Sequence, residues 1–246
     1  MPEAPSADDA FLDARSNDAC SNDAPLSRRE RERRRRRRAM LRAAQGVFAE
    51  KGYAHATLDE IAARAEFGKG TLYNYFEGGK EELLFAVFDE AYDGLFALVE
   101  RFVSDAEERP LREAFRAFVY EAFGFFREQE ALFMILFKES HRFIFGENQK
   151  RAAYFHAQED RLVKALMPLL EQAAAVGEIR ALPARPVAHM ILENTKGMVM
   201  ARAMMDHQGM RGQDCDDTIL QRPDEAADML AAMLFDGLAA PDGDSS

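Results

Sequence analysis

One stretch, Thr57 to Lys80 (TLDEIAARAEFGKGTLYNYFEGGK), limits what this chain can fold into more than any other. Thr57 and Glu60 stand in T-x-x-E spacing, in which hydroxyl and carboxylate each satisfy a backbone N–H left unpaired at a helix start. Leu58, Ile61, Ala62 and Ala65 then recur at helical spacing for only two turns. Glu66-Phe67-Gly68 breaks the pattern, and Gly68 is the residue expected to take a backbone conformation that others resist. A second short helix runs from Lys69 to Phe76. Two short helices joined by a tight turn make a helix-turn-helix, whose second helix fits a DNA major groove.

Charge supports that reading once it is divided along the chain. The whole chain carries −11, but residues 28–80 hold 14 Lys+Arg against 7 Asp+Glu, a net of +7 that leaves −18 elsewhere. A basic module on an acidic body is the electrostatic footprint of nucleic-acid binding. At 48% hydrophobic residues the body has the material for a core. Cys20 and Cys215 are isolated, so neither a disulfide framework nor a metal-ligand spacing is present. The start MPEAPSADDAF lacks the basic and apolar regions of a signal peptide. No uncharged apolar run reaches the ~18–20 residues of a membrane span. The expectation is a cytoplasmic chain with no membrane partner, no metal and no cofactor.

Read in order, residues 1–27 are expected to form a disordered tail, 28–80 the helix-turn-helix DNA-binding domain, 81–240 a helical domain and 241–246 a second tail. The fold class is all-α, with about nine helices. Helix 1 starts near Arg28, Ser27 being its candidate cap, and Gly52 is expected to end it as a left-handed cap. The Arg33–Arg38 run covers every face of that helix, and Arg37 and Arg38 are its candidates for phosphate contact. Helix 4 runs from about Gly79 to Ser104, and its length makes it the lever between the two domains. Helices 5 to 9 follow over about 110–128, 130–145, 149–176, 186–206 and 223–238, with a bend expected at Pro168. In the second short helix, Lys69 and Thr71 are candidates for base-edge or phosphate contact, with Gly70 and Asn74 beside them. Leu72 and Phe76, four apart, are core anchors.

The run VFAEKGYAHATLDEIAARAEFGKGTLYNYF, followed by KEELL, resembles the DNA-binding domain of TetR/AcrR-family transcriptional regulators. The likeness covers residues from about 38 to 90, with IA..A, GTLY.YF and KEEL in the family's order. Glu66 and Phe67 stand where the family has a small turn residue and Val, Gly68 where it commonly has Ser, and the Glu77–Gly79 link is one residue longer than usual. The resemblance implies that Tyr73, Tyr75 and Lys80 hold the DNA backbone and that Thr57 adds a phosphate contact to its capping role. It also implies a ligand cavity within helices 5 to 8. Here that cavity would be aromatic, drawing on Phe115, Phe118, Phe123, Phe133, Phe137 and Phe155, with His141, Glu193 and Asn194 as polar groups.

By the same resemblance, helices 8 and 9 pair with their counterparts in a second chain. The interface candidates are Met190, Met198, Ala201 and Met205 on one helix and Met229, Leu230, Met233 and Leu234 on the other. No nucleophile elbow, phosphate-binding glycine loop or paired metal motif points to an enzyme. The expected function is a homodimeric, ligand-responsive regulator on palindromic DNA, a repressor released by a small apolar effector. An activator, or a constitutive DNA-binder without effector, is the alternative.

Overall fold

A computed structural model describes residues 27–146, 148–207, 219 and 222–237. The two expected tails apart from Ser27, both cysteines, most of the loop after helix 8 and Leu238 lie outside the described residues. Among the described residues the structure holds nine α-helices and no strand. They are α1 (Arg28–His55), α2 (Leu58–Arg64), α3 (Lys69–Tyr73), α4 (Gly79–Glu108) and α5 (Leu111–Glu128), then α6 (Glu130–Ile144), α7 (Gln149–Ala175), α8 (Ala184–His207) and α9 (Pro223–Phe235). The chain divides into two compact units: Met1–Tyr92 with Ala131–Ala157, and Asp93–Glu130 with Gln158–Ser246. The start of α4, most of α6 and the start of α7 are thus grouped with the helix-turn-helix.

In the first unit, α1 is helical from its first arginine because Ser27 caps it. The Ser27 hydroxyl accepts from the Glu30 N–H at 3.2 Å, and the Glu30 carboxylate accepts from the Ser27 N–H at 2.8 Å. Met40, Leu41, Ala44, Val47 and Phe48 form its buried stripe. Gly52 interrupts the helix with φ +74° and ψ 159°, a region essentially restricted to glycine. Thr57 and Glu60 form the reciprocal cap of α2, at 3.3 and 3.2 Å.

The turn between α2 and α3 corrects one expectation. Gly68 is in ordinary extended backbone (φ −69°) and caps α3, whereas Glu66 takes the left-handed conformation at φ 60°. Its N–H reaches back to the Ala63 carbonyl at 3.1 Å, which closes the end of α2. The strained position is therefore filled by a residue that resists it.

Six successive residues of α4, Leu83 to Phe88, are buried, so this segment is packed on all sides. Phe85 lies at 5.7 Å from Phe143, 4.9 Å edge-on from Tyr154 and 6.2 Å from Phe155, and Phe88 meets Phe155 at 5.5 Å. Arg151 makes a bidentate pair with Glu81, both bonds 2.7 Å, and Tyr154 donates to Asp89 at 2.7 Å. The polar groups of α7 thereby fix its aromatic face against α4.

In the second unit, α9 lies along α5, with Phe115 and Phe235 5.9 Å apart. Arg116 pairs with Asp228, and Arg112 with Asp236 at 2.7 Å, along the exposed edge of that contact. Phe102 stacks on Phe118 at 4.9 Å. Pro168 lies inside α7, and Pro223 opens α9 with Asp224 and Glu225 in the same turn.

Two backbone positions generate a test by urea unfolding. Gly52→Ala is expected to lower stability by about 1–3 kcal/mol, because a side chain is forced into a glycine-only conformation. Glu66→Val is expected to lower it by about 1–2 kcal/mol, while Glu66→Gly leaves it unchanged or higher. Equal stability of all three variants and the parent would contradict the backbone assignments.

Candidate nucleic-acid interface

The reading helix is short, so its position depends on what lies beneath and beside it. Leu72 and Phe76 are fully buried and hold α3 and the turn after it to the core, as the sequence predicts. Between and around them Lys69, Gly70, Tyr73 and Asn74 are exposed, and Thr71 and Tyr75 are half-buried. A Cβ on Gly70 would meet nothing within 4 Å, so the backbone there is open to close approach. Tyr73 is 41% exposed, a large amphipathic side chain turned to solvent. Lys69 is held across the turn by Asp59 at 2.9 Å, and that carboxylate raises its pKa above the usual lysine value.

Thr57 is exposed at the start of α2. Its oxygen accepts from the Glu60 N–H, which leaves the hydroxyl hydrogen available to donate to a phosphate. Glu60 is pulled below the ordinary carboxylate range by the Lys51 ammonium at 2.5 Å, then by the backbone and side chain of Thr57. The cap is therefore complete at neutral pH and is lost only as acid protonates Glu60 below that range.

The Arg run of α1 is divided between two faces. The guanidinium of Arg37 lies 5.3 Å from the centre of the Phe76 ring, and that of Arg33 lies 5.8 Å from Tyr75. These cation–π contacts dock the charged start of α1 on the end of the reading helix. Arg38 is exposed on another face. Arg33 was not singled out from the sequence, although its four-residue spacing from Arg37 puts the two on one face.

Lys80 departs from expectation. Its ammonium donates to the carbonyls of Tyr53, Ala54 and Ala56, at 2.9, 3.2 and 3.0 Å, and lies 4.6 Å from the centre of the Tyr53 ring. All three of its hydrogens are engaged, so it caps the end of α1 and offers a phosphate only its charge. Burial, and then the nearby Glu81 carboxylate, push the Tyr53 phenol up, so this tyrosine stays neutral beneath two cations, Lys80 and Arg142.

Residues 40–87, which hold this arrangement apart from the first turns of α1 and Arg142, match the family model described as bacterial regulatory proteins, tetR family. That segment of the chain therefore carries a tetR-family domain. One relative is the HTH-type transcriptional regulator YerO of Bacillus subtilis, 31% identical over 45% of this chain and 37% of its own length. The HTH-type transcriptional activator FasR of Mycolicibacterium smegmatis is 33% identical over 42% of this chain and 45% of its own. The chain thus matches less than half the length of these two relatives. Among solved structures, the transcriptional regulator FadR from Bacillus subtilis in complex with stearoyl-CoA superposes with a TM-score of 0.65. It is 22% identical, over 82% of this chain and 99% of that one, and shows a shared fold.

For the effector and dimer residues implied by the TetR resemblance, the structure sorts the candidates. Phe115, Phe118 and Phe123 are buried in the second unit, and Phe133 and Phe155 are buried in the first. Phe155 is packed among Phe85, Phe88 and Phe143, which makes it core. Phe137 is half-buried beside the exposed His141, whose Nδ1 lies 2.7 Å from the Phe137 carbonyl oxygen. Glu193 and Asn194 do not turn inward. Both are exposed on α8, Glu193 paired with Lys196 at 2.5 Å and Asn194 donating to the Met190 carbonyl at 2.7 Å. The inward polar residue of that turn is Thr195, 3% exposed, with its hydroxyl donated to Ile191.

Of the interface candidates, Met190 is 55% and Met233 41% exposed, while Met198, Ala201, Met205, Met229 and Leu234 are half-buried. Leu230 is buried within its own subunit and is not free to meet a partner. Met204, exposed and three residues after Ala201, joins the outward stripe and was missed. Among the described residues no cluster of three or more His, Cys, Asp or Glu could hold a metal ion.

The Lys80 assignment is testable apart from DNA. Lys80→Met is expected to lower the urea stability of the free protein by about 1.5–3 kcal/mol, since three carbonyls lose a charged donor. A variant as stable as the parent that binds DNA more weakly would return Lys80 to the role of a dedicated phosphate contact.

Proposed function

We propose that this chain is a homodimeric, DNA-binding transcriptional regulator whose operator affinity is lowered by a small apolar effector, so that it acts as a repressor. The observation that carries the reading is α3: Lys69, Gly70, Tyr73 and Asn74 face outward, with Thr71 half-buried beside them, on a segment anchored by Leu72 and Phe76 and matched by the family model. Tyr73, Thr57, Tyr75 and the Arg37–Arg38 segment position the module on phosphates, and Lys69 and Thr71 reach base edges. The outward methionines of α8 and α9 support pairing with a second copy about a two-fold axis, which closes as a dimer and calls for a palindromic operator. An apolar effector is supported by the aromatic interior of α5 and by FadR, a protein of the same fold, being described with stearoyl-CoA. FasR, described as an activator, favours the second reading, in which the DNA-bound protein raises transcription. Catalysis has no part in either reading. Among the described residues no helix is long and apolar enough to cross a membrane, and the proposal places the protein in the cytoplasm.

Tyr73→Ala is expected to weaken binding by about 1–3 kcal/mol, and to do so uniformly across related duplexes, measured by fluorescence anisotropy on a duplex selected from a randomised pool. A parent protein that selects no sequence from the pool at low salt would overturn the reading. Met198→Glu with Leu234→Glu is expected to give a folded monomer in sedimentation that no longer binds the selected duplex. If the effector reading holds, effector and DNA oppose one another by the same ~1–3 kcal/mol, or roughly 5–150-fold. Equal effector affinity for free and DNA-bound protein would contradict it.

A further inference from the structure

The arginines of α1 that do not face α3 form a surface of their own. Arg31, Arg34, Arg35, Arg38 and Arg42 are all exposed and together line one open cavity of about 360 Å³. At roughly 100° and 1.5 Å per residue, they occupy a stripe ~16 Å long on the side of α1 away from its buried residues. Arg33 and Arg37, which stack on Tyr75 and Phe76, lie on the core side instead. The acids of α1 offset the stripe only in part, Glu30 acting on Arg34 one turn further along. Glu30 is used in the Ser27 cap, Glu32 pairs with Arg36 at 3.0 Å, and Glu50 pairs with Arg64 at 2.7 Å. Among the described residues no ion pair involves any of the five stripe arginines.

Immediately before α1 stands the opposite charge. Residues 1–26 contain six acids, Glu3, Asp8, Asp9, Asp13, Asp18 and Asp23, against the single Arg15. Five of them recur at every fifth residue, and Ser-Asn-Asp-Ala is repeated at 16–19 and 21–24. Asp23 is four residues before Ser27 and Arg31 four residues after it. At no more than ~3.3–3.6 Å per residue, 26 residues can cover the ~16 Å stripe several times over. Joined directly to α1, the acids act at a local concentration on the order of millimolar.

We propose that the outward arginine stripe of α1 is the docking surface for this chain's own acidic segment, residues 1–26, which occupies it in competition with DNA phosphates. The proposal rests on the DNA-binding reading above and adds a function to it. A sequence-independent arginine surface would otherwise hold any duplex through phosphates alone. An acidic segment in cis suppresses that binding, while an operator, held also through base contacts of α3, displaces it. The segment therefore raises specificity without touching a base.

The test uses full-length protein and a random-sequence duplex, with Glu3→Gln and Asp→Asn at 8, 9, 13, 18 and 23. It is made in the parent and again in a background of Arg31→Gln, Arg34→Gln, Arg35→Gln and Arg42→Gln. In the parent, neutralising the acids is expected to tighten random-duplex binding by about tenfold at low salt and to steepen its salt dependence. In the arginine-depleted background the same change is expected to have little effect. An unchanged affinity in the parent would overturn the proposal. Equal tightening in both backgrounds would overturn it too, since it would show diffuse repulsion rather than docking on the stripe. A dependence on protein concentration would assign the acids to a second copy and overturn docking in cis. Failure of the regulator reading shows separately, as a parent that selects no sequence from a randomised pool.

Discussion

The ammonium of Lys80 converges on three carbonyls at the end of α1, and the DNA-reading unit depends on that junction. Gly52 has already broken α1 there, leaving carbonyls with no helical partner. Lys80 stands at the start of α4, so one side chain satisfies those carbonyls and fixes α4 to α1. The face of Tyr53 takes the charge of Lys80 at 4.6 Å and of Arg142 from α6 at 5.2 Å. One residue further along α4, Glu81 receives the bidentate Arg151 of α7. Helices distant in sequence therefore meet on two consecutive residues of α4, and α3 is positioned from the same base through Leu72 and Phe76.

The charge of α1 follows the same logic of division. A run of six arginines on one helix must point in every direction, and the structure gives its faces different neighbours. Aromatic rings of the α3 end take Arg33 and Arg37, Glu32 takes Arg36, and the outward stripe lines an open cavity of its own. A capped helix holds these charges at fixed angles, where an uncapped one would let them average. Ser27 and Glu30 thus set the angles at which these charges are held.

Much of this was legible in the sequence because local rules fix it. The T-x-x-E cap, the apolar anchors Leu72 and Phe76 and the proline start of α9 each act over a few residues, and each appears where the sequence puts it; Gly52 breaks α1 at the expected place, but at ψ 159° instead of as a left-handed cap, and the helix goes on to His55. What was not legible depends on partners far along the chain. Lys80 reads as a phosphate contact until the carbonyls of 53, 54 and 56 are seen beside it. Glu193 and Asn194 read as cavity groups until α8 is rotated by the burial of Thr195 and Ile191. Phe155 could not be separated from a ligand-facing phenylalanine by spacing alone, since core and cavity walls share one pattern. Glu66 shows the opposite case, a local rule overridden: glycine was available two residues later, yet the left-handed turn falls on the glutamate.

The central claim, two copies of α3 reading DNA from a scaffold fixed by α1 and α4, is tested most directly by hydroxyl-radical footprinting of the full-length protein on a duplex recovered by selection. The account predicts two symmetric protected segments whose centres lie one helical turn or a whole multiple apart, ~34–36 Å per turn. Protection of a single segment at saturation, or of two segments unrelated by a two-fold axis, would contradict it.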